Sequence, residues 1–511
     1  MQPEVWIQRS SVLFLVVCLL MHSRPSEAQA GGAWTDVIPL PVIPVAAALL
    51  PNGKVLMWSS SSGFGFPGDL GDAPSRTYTA IFDPVTGSSV QKTETEAYSD
   101  MFCPGIAYLS DGRLLVNGGD SSPKTSIYDH LTKTWSAGAY MNIPRGYNAD
   151  VLLTTGEVLT LGGSWSGDFF AAKNGEVWSP ATGEWSLRSG ILAQPITGPD
   201  PEGYYRGDNF AWLFAVANGY VLHAGPSAEM HWIETSGDGS IVSAGTRGDD
   251  AYSINGKAVQ YDVGKILKTG GGPAFENAWA TADTYVIDIN PALADPLNQA
   301  VVVTKTAPMA YPRAFANGVV LPNGQVLIVG GTTYAAPFSD ALSVLVPELW
   351  DPVDETFTQL TPMQTPRNYH STALLLPDGR VFVGGGGLCG GCGADHPDAE
   401  IFSPPYLFNL DGTPARRPNI VSAPSTAQLG STMSVTTNTP VTAFAILRLS
   451  AVTHTVDNDQ RRVPLEIILA SQNSYALSVP SDPGVVSPGY YMLFAINPQG
   501  TPSVAAIIQF G

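Results

Sequence analysis

The sequence predicts an all-β protein: a ring of repeated sheets followed by a separate β-sandwich. Three observations point there. Charged residues make up only 14% of the 511 residues, while Gly numbers 53 and Pro 42. Few charges and many turn-formers argue against helical bundles and for short strands joined by tight turns. A hairpin pattern then returns again and again along the chain. Near residue 416 the texture changes to a run of short strands of another kind. Hydrophobic residues, at 44%, supply a large core and exclude a disordered chain.

The first 30 residues form an element of their own. Arg9 closes a short polar region, Ser11 to Met21 is apolar, and Ala28-Gln29-Ala30 has the small-residue pattern of a cleavage site. Residues 1–30 therefore read as a signal peptide, too short in its apolar part to span a bilayer. The protein is expected to be secreted, with no membrane span and with Gly31 as the mature N-terminus.

Seven hairpin units follow. They are AAALLPNGKVLMW, GIAYLSDGRLLVNGG, ADVLLTTGEVLTLGG, AWLFAVANGYVLHAG, KAVQYDVGKILKTGG, FANGVVLPNGQVLIVGG and STALLLPDGRVFVGGGG. Their turn glycines are Gly53, Gly112, Gly156, Gly219, Gly264, Gly324 and Gly379, spaced by 59, 44, 63, 45, 60 and 55 residues. The Asn-Gly and Asp-Gly pairs suit two-residue hairpins with positive φ. Leucine and β-branched flanks suit buried strands. Several units continue into an outer hairpin, as in IFDPVTG (81–87), VWSPATGEW (177–185) and LWDPVDETF (349–357). Four strands per repeat of about 50 residues is the pattern of a kelch-type β-propeller, and seven repeats imply seven blades over residues 31–415. Residues 416–511 carry TMSVTTN, AFAILRLS, VPLEIIL, SYALSVP and YYMLFAI, which predict an immunoglobulin-like sandwich.

The formal net charge of −19 disfavours a phosphate-backbone partner, so no nucleic acid is expected. Removing Cys18 with the signal leaves Cys103, Cys389 and Cys392. Cys389 and Cys392 are close enough in sequence to pair in an oxidising compartment. Zinc would need more ligands than the cysteine count offers. Cys103 is then left over, which allows a free thiol, an intermolecular bridge or other chemistry.

A propeller funnels its inner strands toward one axis, so chemistry is sought just before each repeat. Asp100-Met101-Phe102-Cys103, Arg145-Gly146-Tyr147 and Arg367-Asn368-Tyr369-His370 all precede their repeats by the same short distance. Thr453-His454-Thr455 is a fourth candidate, in the C-terminal segment. His130 and His231 fall in outer-hairpin segments, where a solvated role is expected, while His223 lies in an inner repeat. Adjacent Tyr369 and His370 would face opposite ways in a regular strand, so irregular backbone is expected there.

The chain resembles the galactose oxidase and copper-radical oxidase family. The motifs that carry the resemblance span nearly the whole mature chain. They are DMFCPG (100–105), RGY (145–147), GGSWSG (162–167), YYRGDNFAWLF (204–214), YHS (369–371), LLLPDGRVFVGGGGLCGGC (374–392), VTHTVDNDQRR (452–462) and PGYYMLFAIN (488–497). The resemblance implies one copper ion held by Tyr147, Tyr369, His370 and His454. It implies a thioether between Cys103 and Tyr147 that serves as a radical cofactor, and Trp165 stacked over that crosslinked ring. It also implies a disulfide between Cys389 and Cys392. The implied reaction oxidises a primary alcohol to an aldehyde and reduces O2 to hydrogen peroxide, with Tyr369 as proton acceptor. Copper(II) favours imidazole and oxygen donors, which matches these residue types.

Substrate positions carry over one by one: Arg206 and Tyr205 beside it, with Phe66 and Phe338 as aromatic walls. Phe275 and Glu276 depart from the tyrosine and glutamine of galactose oxidase. The family's fungal members begin with a carbohydrate-binding module, and here the propeller is expected to start near Trp34 without one. D-galactose or a galactoside is the expected substrate. Other primary alcohols, or small aldehydes as in glyoxal oxidases, are the alternative. We expect a monomer that takes an alcohol substrate and O2.

Overall fold

The structure, a computed structural model, describes residues 31–511 except 64, 66–75, 98, 120–121 and 166–171. The signal-peptide expectation and Phe66 lie outside the described residues. Seven antiparallel sheets follow one another in the chain, each with its first strand innermost, as a seven-bladed β-propeller requires. The inner strands start at Ala46, Gly105, Ala149, Leu213, Lys257, Asn317 and Ser371. Among the described residues the only helical elements are 3-10 turns of three residues.

Two joins close the ring. The N-terminal pair Ala33–Trp34 lies along Asp398–Ser403 as the outer strand of blade 7, with Ala33 opposite Ser403. From the C-terminal segment, Ala451–Thr453 adds a fifth strand inside blade 1, pairing Thr453 with Ala46. The strands before and after Ala451–Thr453 form an eight-stranded C-terminal sheet. Its two edges are Ile420–Ser422 and Thr426–Ala427, only three residues apart in sequence. Edges that close in sequence require the sheet to curl on itself around Phe444, Leu477, Tyr491 and Phe510.

The hairpin turns differ from the two-residue expectation. In blade 1 the Gly53 N–H donates to Leu50 O and the Leu50 N–H to Lys54 O, both at 2.8 Å. The same pair of bonds recurs at Gly112, Gly156, Gly324 and Gly379. Only the glycine has positive φ, 79° at Gly53 and 86° at Gly112. This is a type I turn closed by a left-handed glycine bulge. The residue before the glycine has a different task from the one expected. Asn52, Asp111, Thr155, Asn323 and Asp378 each accept the backbone N–H two residues on, at 3.0 to 3.4 Å. That role admits Thr155 as readily as Asn or Asp. Only blade 5 keeps a two-residue loop, with Asp262 opposite Lys265.

Blades are locked to one another by a buried arginine and a glycine pair. Arg145, Arg313 and Arg367 are fully buried and ion-paired with Glu176, Glu348 and Glu400 of their own blades. Each also donates to the carbonyl of the glycine ending its second strand: Gly162 at 3.0 Å, Gly330 at 2.8 Å and Gly385 at 3.1 Å. At Gly330 a Cβ would stand 2.2 Å from the Arg367 carbonyl of the next blade, so only glycine fits.

Candidate active site at the propeller axis

The site grows from one repeated backbone feature. Cys103, Tyr147, Phe210, Asn255, Phe315 and His370 all adopt left-handed φ between 55° and 68°. Each lies nine residues before its blade's hairpin glycine, and Pro44 takes that place in blade 1. The kink swings these side chains off their inner strands toward the axis. Backbone bonds then tie neighbouring blades together: Tyr147 N–H to Cys103 O at 2.9 Å and Phe210 N–H to Tyr147 O at 3.1 Å. Non-glycine residues in this region cost about 1–3 kcal/mol each, a cost concentrated at functional sites.

The same kink resolves the Tyr369–His370 problem. His370, at φ 68°, folds back so that its ring stacks on Tyr369 with centroids 3.9 Å apart. The expected irregular backbone is present. His454 arrives from the C-terminal segment on a tight turn. Thr453 and Val456 exchange backbone bonds at 3.2 and 2.8 Å, leaving His454 and Thr455 at φ 48° and 66°. The residues after this turn cap inner-strand edges around the axis. Asp459 accepts from Tyr108 N–H at 2.9 Å, Asn458 accepts from Leu213 N–H at 3.2 Å, and Gln460 donates to Gly318 O at 3.2 Å.

These elements converge on one buried space. Tyr147 and Tyr369 hydroxyls are 2.8 Å apart. Cys103 Sγ is 3.4 Å from His454 Nε2, and the ligand atoms of Cys103, His370 and His454 all lie within 4.8 Å of one another. Both imidazoles are oriented through Nδ1, His370 by Gly387 O at 2.5 Å and His454 by the Thr453 hydroxyl at 2.7 Å. That arrangement turns Nε2 inward, as in metal-binding histidines. His370 Nε2 is buried with no hydrogen-bond partner.

Electrostatics fit a copper ion. Burial pushes His370 down to about 3 and His454 well below the ordinary range, which leaves both imidazoles neutral, the form that can bind a metal. Burial first, then the neighbouring Cys103, pushes the Tyr147 and Tyr369 phenols well above theirs. A phenolate in this pocket therefore needs an adjacent cation, which copper supplies.

The aromatic surround is partly as expected. Trp165 lies 5.0 Å from Tyr147, but tilted by 41° rather than stacked parallel. Phe275 is buried and packs 4.9 Å from Trp165 and 5.8 Å from Tyr369. Phe338 stands edge-on to Tyr369 at 5.3 Å. Phe210, missed in the sequence, stacks on His454 at 4.9 Å and meets Tyr147 edge-on at 4.8 Å. Its signal was its place nine residues before Gly219.

Arg206 sits 4.6 Å over Trp165 and donates to the Tyr205 hydroxyl at 3.2 Å. Its Nη1 is 2.7 Å from Glu202 and 2.8 Å from Glu276. These are ion pairs bent away from linear hydrogen bonds. Glu202 is the second carboxylate that sequence reading missed. Cys389 and Cys392 form a disulfide, and their loop carries the Gly387 carbonyl that holds His370. His231, expected to be solvated, is instead buried in the third strand of blade 4, its Nδ1 3.3 Å from that of His223.

Comparison with known proteins agrees with this geometry. A galactose oxidase of Gibberella zeae is 42% identical over 486 residues, covering 94% of this chain and 70% of that protein. The chain belongs to the galactose oxidase family of copper-radical oxidases. Residues 417–510 match the family model "Galactose oxidase-like, Early set domain", and residues 292–389 match "Glyoxal oxidase N-terminus". A solved structure of a fungal alcohol oxidase of the AA5 family, in complex with copper, superposes with a TM-score of 0.89. It is 40% identical and covers 94% of this chain and 99% of that one. An aldehyde oxidase of Vitis pseudoreticulata is 27% identical over 80% of this chain and 82% of its own length. The chain is thus an oxidoreductase acting on alcohols, with copper as its metal. No helix of the described residues is long and apolar enough to cross a membrane.

Proposed function

We propose that this copper-radical oxidase converts the C6 hydroxyl of D-galactose or a galactoside to the aldehyde, as a secreted monomer. Arg206 carries the reading. It stands over Trp165 at the mouth of the Tyr147 pocket, where it can donate to sugar hydroxyls. Tyr147, Tyr369, His370 and His454 hold the copper, and Cys103 is linked to Tyr147 through sulfur. When bound, copper supplies one-electron redox chemistry, so that the metal and the linked tyrosine together take two electrons from the alcohol.

Tyr369 accepts the hydroxyl proton, its oxygen being 2.8 Å from the Tyr147 oxygen. The Cys103-linked Tyr147 takes the hydrogen from the carbon. Phe275, Phe210 and Trp165 keep water away from that ring. Over the whole cycle the alcohol loses two electrons and two protons, and O2 gains both as hydrogen peroxide.

A second reading has its own observation. Glu202 and Glu276 engage the guanidinium that would bind galactose, which favours another primary alcohol or a small aldehyde. Copper-loaded protein is assayed for peroxide with galactose, raffinose, benzyl alcohol and methylglyoxal. Turnover of galactose and raffinose is expected. Silence on both, with activity on the others, selects the second reading.

A further inference from the structure

Ten tryptophans fall within the described residues, and Trp279 is the only exposed one, at 65% of its surface. An indole left in water forgoes the stabilisation of burial, so its place in the fold matters. Ala278–Trp279 pairs with Tyr334–Ala335 in a separate two-stranded ladder, with Trp279 opposite Tyr334. The two rings meet edge-on at 5.1 Å and 74°, forming a corner. The ladder is held by Asn277 N–H to Ala335 O at 2.7 Å and Ala280 N–H to Thr333 O at 2.9 Å.

Both strands leave directly from the site. Glu276, paired with Arg206, is three residues before Trp279, a span of at most about 10 Å. Phe338, edge-on to Tyr369, is four residues after Tyr334. Hydrogen-bonding groups edge the same corner. Asn277 Nδ2 donates to Glu202 at 2.8 Å, and Glu202 and Glu276 flank Arg206.

We propose that Trp279 and Tyr334 form a binding subsite for the second sugar ring of an oligosaccharide whose terminal residue enters the copper pocket. The inference rests on the galactoside reading given above. A pyranose has one apolar C–H face and a rim of hydroxyls. A flat aromatic beside carboxylates and an amide offers a surface of the same mixed kind. The ledge is one short ladder wide, far below the area of about 1,000 Å² that a stable protein partner needs. Its backbone bonds set the ledge before ligand arrives, so little ordering cost attends binding.

Trp279→Ala tests this, with Trp279→Phe as the variant that keeps a flat ring. Trp279 is exposed, so neither variant puts fold or copper loading at risk. In Trp279→Ala, KM for raffinose is expected to rise about tenfold at unchanged kcat, the mark of lost uniform binding. KM for methyl galactoside and benzyl alcohol stays unchanged, and Trp279→Phe stays near wild type. Calorimetric titration of raffinose into wild type and variant reads binding apart from turnover. Trp279-dependent binding by a protein that does not oxidise galactosides upholds the ledge and overturns only the galactoside reading. Equal raffinose binding by wild type and Trp279→Ala, no binding by either, or an equal KM rise for methyl galactoside overturns the subsite.

Discussion

Replacing Lys257 with Met should loosen His454, the proposed copper ligand from the C-terminal segment. Lys257 begins the inner strand of blade 5 and is buried, and its Nζ donates to Thr455 O at 2.5 Å. Burial pushes its pKa down, and the neighbouring Asp457 carboxylate opposes that shift. The turn it holds is unfavourable alone. His454 and Thr455 are both left-handed, and Thr455 is β-branched, a residue type seldom found there. Each such residue costs about 1–3 kcal/mol. A hydrogen bond to a charged group returns about 1.5–3 kcal/mol, enough to offset one of the two. Met keeps the length of the stem and deletes the bond. Loss of an outer partner of a metal ligand typically costs about 10–100-fold in affinity. Chelator competition should show copper(II) affinity falling within that range, and electron paramagnetic resonance should show altered nitrogen coupling. Thr455→Gly in the same background relieves the turn and should restore part of the affinity. Unchanged affinity and an unchanged spectrum in Lys257→Met would refute the clamp.

Three further outcomes follow from other sites. Peptide mapping of copper-treated protein should find Cys103 and Tyr147 in one branched peptide. Cys103→Ala should lose it with most activity, and a fully active variant would count against the linkage. Arg313→Met leaves Glu348 buried and unpaired, so stability should fall by about 3–5 kcal/mol. Arg313→Met/Glu348→Gln should recover part of that loss in a thermal melt, and no recovery would assign the cost to packing. In blade 4, burial lowers the pKa of both His223 and His231, with Arg247 and His231 adding to it at His223 and Glu229 opposing it at His231. The unfolded chain then binds more protons below the ordinary imidazole value of 6.5, so stability falls as pH drops below it. His223→Phe should flatten that fall, and an unchanged pH–stability slope would exclude the pair as its source.

Much of this architecture is legible in the sequence because the propeller is locally periodic. The hairpin glycines count the blades, and the residue nine positions before each glycine marks the axis. Cys103, Tyr147 and His370 share that register, and so does Phe210, which lacks any metal-binding chemistry to draw notice. What stays hidden depends on contacts between distant segments. Glu202 meets Glu276 only because both reach Arg206. His231 looks solvated in its hairpin until strand neighbours on both sides bury it. The tilt of Trp165 is set by Phe275 and Tyr205, from blades that nothing local places beside it.

The second imidazole comes from beyond the seventh blade. Tyr147, Tyr369 and His370 belong to the propeller, but His454 reaches the axis only after Ala451–Thr453 has docked along blade 1. During synthesis the ring emerges first, carrying two phenols, a thiol and a single imidazole. With His454 as a proposed ligand, the copper site is completed only when this segment is made and seated. A polypeptide that stops short of this segment lacks His454 and so carries an incomplete version of the proposed copper site.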